Sequence, residues 1–219
     1  MPADSEYGVF EMGMNHAGEI AALTRLVRPH VAVVTTVAAV HLEFFASIEG
    51  IADAKAEIFE GLETGGTAII PFDSPYRDRL IAAAKPYAAH ILTFGLEAGA
   101  DVRARDVIEN INSSTVTVTL PGVELCLTIG QPGTHWVSNG LAVLAAVQAL
   151  GADLGVAALA LADLEAIAGR GARYDVRVGE GLARVLDESY NANPTSMRAT
   201  LAVLARERGR KVAVLGAMG

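Results

Sequence analysis

The sequence predicts an α/β protein: a mostly parallel β-sheet flanked by helices, extended by an antiparallel β-hairpin and followed by the start of a second α/β unit. Three observations carry that prediction. From Tyr7 to Phe94, short runs rich in Val, Ile and Ala alternate with helix-length amphipathic stretches, the β–α–β order of a parallel sheet. Residues 115–129 instead alternate apolar and polar residues around Pro121-Gly122, the period-two signature of a hairpin. Apolar residues make up 52% of the chain and mean hydropathy is +0.36, a level reached when strands are buried on both faces.

Taken in order, residues 7–12 (YGVFEM) read as a short buried strand that ends on Glu11, before a loop cluster of Gly13, Asn15, His16 and Gly18. Residues 19–27 resume a helical pattern that Pro29 closes. Residues 31–37 read as the next strand, with His41 and Glu43 just beyond it. Ser47 is a candidate N-cap, after which Ile48, Ile51, Ala52, Ala54, Ile58 and Phe59 recur near a 3.6-residue period. That helix carries one isolated lysine, Lys55, between Ala54 and Ala56.

Residues 67–71 form a strand, 73–87 a helix and 90–94 another strand, before the hairpin. The turn GQPG at 130–133 leads into a strongly apolar helix at 135–150, with Asn139 near its start, and then a shorter helix at 156–167. The flexible turn GRGA at 169–172 delivers Arg173, and residues 174–186 read as two strands around Gly179-Glu180-Gly181. DESYNANP at 187–194 precedes a helix at 195–206, and residues 211–216 (KVAVLG) read as a last strand. One strand, helix and strand cannot close a core alone. A domain boundary is therefore expected near residues 186–193, dividing the chain into 1–186 and 187–219.

Composition narrows the function. The net charge of -8 leaves no basic stripe to neutralise phosphates, which argues against nucleic acid as a partner. No apolar run reaches the roughly 18 residues that a membrane span needs. The first ten residues lack the basic and apolar regions of a signal peptide, and the single cysteine, Cys126, fits a reducing compartment, so a cytoplasmic location is expected.

Ligands of open α/β sheets bind beyond the carboxyl ends of the strands. Glu11 and His41 both fall at such ends, and adjacent parallel strands lie roughly 5 Å apart, close enough for two side chains to share a cation. A carboxylate there could equally cap a neighbouring helix, and a histidine after a strand is often an ordinary loop residue. A carboxamide such as Asn139 can donate and accept at once, as an adenine edge requires, or satisfy backbone groups at the helix start.

Four stretches carry a family resemblance: EMGMNHAGEI at 11–20, AAVHLEFF with ADAKAEIF within 38–59, GTHWVSNGLA at 133–142 and DESYNANPTSM at 187–197. Together, and in this order, they resemble the Mur ligases. The likeness is strongest to the MurF type, which joins D-alanyl-D-alanine to UDP-N-acetylmuramoyl-tripeptide in peptidoglycan synthesis. The resemblance implies a central ATP-binding domain followed by the start of a Rossmann-like C-terminal domain, with ATP and Mg²⁺ as cofactors. It also implies Glu11 and His41 as magnesium ligands, and Lys55 as a lysine whose carbamylated form helps to hold a second magnesium. Asn139 would contact adenine, Arg173 the phosphates and Glu188 the ribose. Asn15, Asn191 and Asn193 would face substrate or the neighbouring domain.

Two features depart from the family pattern. No G-x-x-x-x-G-K-[ST] phosphate loop occurs in the 219 residues, and Trp136 stands where many relatives have a polar residue. A partial ligase, inactive alone and prone to self-association through uncovered surfaces, is the expectation. A ligase of another Mur step or of folate polyglutamylation, and a non-catalytic α/β binding module, are the alternatives.

Overall fold

The computed structural model describes residues 2, 4–39 and 44–216; His41 and Glu43 lie outside the described residues. Its elements are α1 (Glu19–Val27), β1 (Val31–Val33), α2 (Ile48–Ala56) running into a 3₁₀ turn (Glu57–Gly61), β2 (Thr67–Pro71), α3 (Arg77–Ala84) and β3 (His90–Gly95). There follow β4 (Val102–Glu109), β5 (Ser114–Leu120), β6 (Val123–Ile129), α4 (Thr134–Ala149), α5 (Leu154–Ala162), β7 (Ala172–Val178), β8 (Gly181–Asp187) and α6 (Pro194–Arg206). Strands β1 to β6 form one sheet in sequence order, while β7 and β8 make a separate two-stranded ribbon.

Strands β1 to β4 are mutually parallel, β5 reverses, and β6 reverses again. Five of the six strands therefore end on the same edge of the sheet, and α4 begins there. The core follows from composition. All of β2 is buried, β5 alternates buried and half-buried positions, and α4 lays Val137, Leu141, Leu144 and Ala145 on Ile69, Phe94, Val102, Val116 and Ile129. Close approach demands Gly140, where a Cβ would meet Ile129 Cδ1 at 2.8 Å. The opposite face packs Phe59, Leu80 and Ala84 on Ala32, Ala68 and Ile70.

Local signals set the helix ends. The Ser47 hydroxyl accepts from the Gly50 N–H at 3.2 Å, as its N-cap role requires. Asp153 does the same for α5, accepting from Gly155 and Val156. Residues 73–87 yield a helix only from Arg77, because the Asp73 carboxylate is engaged by the Leu96 and Glu97 amides beyond β3.

Two predicted strands do not form. Residues 7–12 make no ladder pairing, and Tyr7, Val9 and Phe10 are exposed; β1, the strand they would join, is three residues long. Apolar alternation alone does not make a strand whose backbone groups find no neighbour. Residues 211–216 are likewise irregular and exposed. The predicted strand at 31–37 is shorter as well, although the Val34 amide extends the ladder by donating to Ile69 O at 3.0 Å.

Candidate functional site

The sequence-predicted residues fall into two groups. The first surrounds Lys55 near the C-terminal end of α2. Its neighbours Ala54 and Ala56 are buried in two core clusters, the former with Met14, Ile20, Phe45 and Ile51. The lysine stem is thereby held half-buried, and burial pulls the amine below the ordinary lysine range. Lys55 forms no ion pair among the described residues. Two residues on, Glu57 clamps the start of α1: one carboxylate oxygen takes the Gly18 N–H at 2.7 Å, the other the Ala21 N–H at 3.1 Å. Thr24 Oγ1 donates to Ile58 O at 2.8 Å, and Arg25 pairs with Glu60 at 2.7 Å. The helix that carries Lys55 and the loop before α1 are thus fixed to each other.

That loop holds Asn15, whose amide donates to Glu19 Oε2 at 2.8 Å; its side chain is exposed. Glu11 lies upstream in an irregular, exposed stretch. The strand-end position expected for it is not formed, for want of a paired strand. The capping role weighed for Glu11 belongs to Glu57. Among the described residues, which do not include His41, no group of three His, Cys, Asp or Glu side chains could hold a metal ion.

The second group gathers where β4, β5 and β6 meet α4, α6 and the ribbon, on the edge where β4 and β6 end. Arg173 of β7 reaches across to the β4–β5 turn, its Nη1 donating to Ile111 O at 2.5 Å and Asn112 Oδ1 at 2.8 Å. It also pairs with Glu207 at 3.3 Å. A narrow cleft beside it is lined by Gln131, His135, Trp136, Gly171, Arg173 and Glu188, among others. Burial raises the Glu188 carboxyl above the usual range, and Asp187 adds to the shift against a bond from Thr200. Burial also lowers the His135 imidazole, favouring its neutral form. Asn139 is exposed one helical turn beyond His135, on the same face of α4.

Asn193 is the N-cap of α6: its Oδ1 accepts from the Ser196 N–H at 2.9 Å, while Ser196 Oγ accepts from the Asn193 N–H at 3.0 Å. Asn191 is exposed and bonds the adjacent Ala192 amide. The lining of the narrow cleft includes neither Lys55 nor Glu11.

Residues 1–147 match the model of the Mur ligase middle domain. The chain belongs to the Mur ligase family. Across 97% of its length it is 36% identical to the UDP-N-acetylmuramoyl-tripeptide–D-alanyl-D-alanine ligase of Escherichia coli (strain K12), covering 46% of that protein. It is 35% identical, over its whole length, to the enzyme of that name from Bacillus subtilis, again covering 46%. Among solved structures it is similar to MurF from Acinetobacter baumannii, with a TM-score of 0.82 and 33% identity, covering 91% of this chain and 42% of that one. The Thermotoga maritima MurF ligase in complex with ADP gives a TM-score of 0.73 at 26% identity, covering 89% and 43%. The chain spans about half the length of the curated relatives it matches.

Sequence reasoning gave no role to three residues that the structure places in or beside the cleft at Arg173. His135 stood inside a quoted motif but was given no role. Gln131 is buried, its Nε2 bonded to Leu164 O at 3.1 Å, in what read only as a turn. Glu207, half-buried against Arg173, sat in a charged run that reads as a solvated helix end.

Proposed function

We propose that the chain provides the middle part of an ATP-dependent ligase of the MurF type, which joins D-alanyl-D-alanine to UDP-N-acetylmuramoyl-tripeptide in the cytoplasm. Residues 1–186 would serve as its central domain and residues 187–219 as the beginning of the next. The observation that carries this reading is the likeness to enzymes of that name along essentially the whole chain, through the DESYNANP stretch. The high acidity of the chain, at net -8, agrees with a small-molecule rather than a nucleic-acid partner.

ATP, when bound, supplies the phosphoryl group that turns the tripeptide carboxylate into an acyl phosphate. The amine of the dipeptide then attacks that carbonyl; the new C–N bond forms as phosphate leaves. The chain's residues have separate tasks. Arg173 offers a guanidinium that neutralises phosphate charge. Glu188 accepts from a ribose hydroxyl, Asn139 pairs with the adenine edge, and Asn15, Asn191 and Asn193 serve the substrate and the neighbouring domain.

Lys55 prepares the site before turnover. Its desolvated amine, neutral more often than an exposed lysine, attacks carbon dioxide; an N–C bond forms, a proton passes to water and a carbamate anion results. Mg²⁺ is the cation such an anion would hold, with Glu11 and His41 as further ligands in this reading. His41 lies outside the described residues, and no step is derived through the ion.

The test is a chimera in which this chain replaces the matching stretch of the E. coli ligase. ADP release that requires both UDP-N-acetylmuramoyl-tripeptide and D-alanyl-D-alanine is expected. Release with another amino acid in place of the dipeptide would refute the assignment. The chain alone, which contains no phosphate-loop motif, is expected to release none.

A further inference from the structure

Between the β4–β5 turn, the β7–β8 ribbon and the last turn of α6 lies a cleft of about 590 Å³. Four arginines and three carboxylates line it. Each carboxylate is paired with one of the arginines: Glu207 with Arg173, Asp175 with Arg184 and Glu109 with Arg206. The pairs leave only Arg208 of the four arginines without an ion pair among the described residues, so most of the cleft's charge is already engaged in internal contacts. Two of the pairs, Arg173–Glu207 and Arg206–Glu109, bind the end of α6 to strands of the other sheets, and both members of the first are largely shielded, at 17% and 21% side-chain exposure. Arg173 Nη1 already serves Ile111 O, Asn112 Oδ1 and Glu207, more acceptors than its two hydrogens can satisfy at full strength. The Glu207 contact, at 3.3 Å the longest of the three, is the one most readily given up.

We propose that Glu207 is a resident counter-anion for Arg173: nucleotide phosphates displace it, and their binding thereby removes one of the two ion pairs that hold the end of α6, the one that reaches the β4–β5 turn through Arg173. The inference rests on the reading of Arg173 as a phosphate ligand. Phosphate binding and loss of the Arg173–Glu207 pair are then reciprocal, each favouring the other by the same factor. Glu207 is a positioning residue in this scheme, acting only through Arg173.

The experiment uses this chain with spin labels on the exposed Cys126 of β6 and on Ala202→Cys of α6, together with calorimetric titration of MgATP and of tripolyphosphate. In the parent chain either anion should move the label-to-label distance. Glu207→Gln should adopt the moved distance without ligand and bind both anions about fivefold tighter, the equivalent of one partly exposed ion pair. Glu207→Asp, which keeps the charge, should restore the resting distance and so exclude misfolding as the cause. Arg206→Gln should loosen α6 and tighten binding less than Glu207→Gln does. Unchanged affinity in Glu207→Gln, or anion binding that leaves the distance fixed, overturns the proposal. If no form binds either anion, the proposal fails for this chain, while a distance change in Glu207→Gln would still report the mechanical clasp.

Discussion

The two groups of candidate site residues differ in how their cations are held. Lys55 is sunk between core alanines with no ion-pair partner among the described residues, whereas Arg173 is bound to a carbonyl, a carboxamide and a carboxylate. An unpaired, desolvated amine is destabilised as a cation and therefore reactive as a base. A guanidinium cannot escape its charge that way and must be neutralised by neighbours. In the proposed reading the lysine group serves chemistry at its nitrogen, and the arginine group serves exchange of one anion for another.

Substitutions at each end sharpen that contrast. In the ligase chimera, Lys55→Ala should reduce turnover by about a hundredfold or more, the scale of losing a group that supports a metal site, measured as dipeptide-dependent ADP release. Arg173→Met should lower the unfolding free energy of the chain by about 2 kcal/mol, because it strands the half-buried Glu207 and releases Ile111 O. Denaturant titration checks this, and an unchanged midpoint would show the pairs to be ornamental.

Lys55→Met should act in the opposite direction, raising stability by about 1 kcal/mol at neutral pH by removing a disfavoured charge. The sign follows from proton linkage. The folded lysine pKa is lowered, so the unfolded chain binds more protons, and the parent gains stability as pH rises from the folded value towards the ordinary lysine range. The Met variant should lack that gain, and the two stability curves should converge at high pH.

The smallest effect belongs to Glu188→Gln, a slight gain of stability at pH 7. Here the folded carboxyl pKa is raised, so the parent loses stability as pH rises from the ordinary glutamate value through the folded one. The difference from Gln should vanish in acid, where the parent carboxyl is protonated.

The same contrast explains what could be read from the residues alone. Elements that bury periodic apolar faces were legible: β2, the β5–β6 hairpin, α4 and the Ser47 cap all lie where periodicity and turn chemistry put them. Residues 7–12 and 211–216 carry strand-like patterns yet remain unpaired, because pairing depends on a neighbour that a local pattern does not contain. Lys55 was legible as an isolated lysine among alanines. The ion pairs of Arg173 were not, since Glu207 lies far along the chain and charge runs near helix ends carry no address. Nor was the role of Glu57, which reaches α1 across 39 residues.

The measurement closest to the central claim is ¹³C NMR of the chain in ¹³C-bicarbonate at neutral pH. A Lys55 that carries the ligase chemistry should yield one carbamate resonance, absent in Lys55→Met, while the exposed Lys85 and Lys211 yield none of comparable occupancy. A carbamate signal that persists in Lys55→Met, or no carbamate in the parent chain, would contradict it.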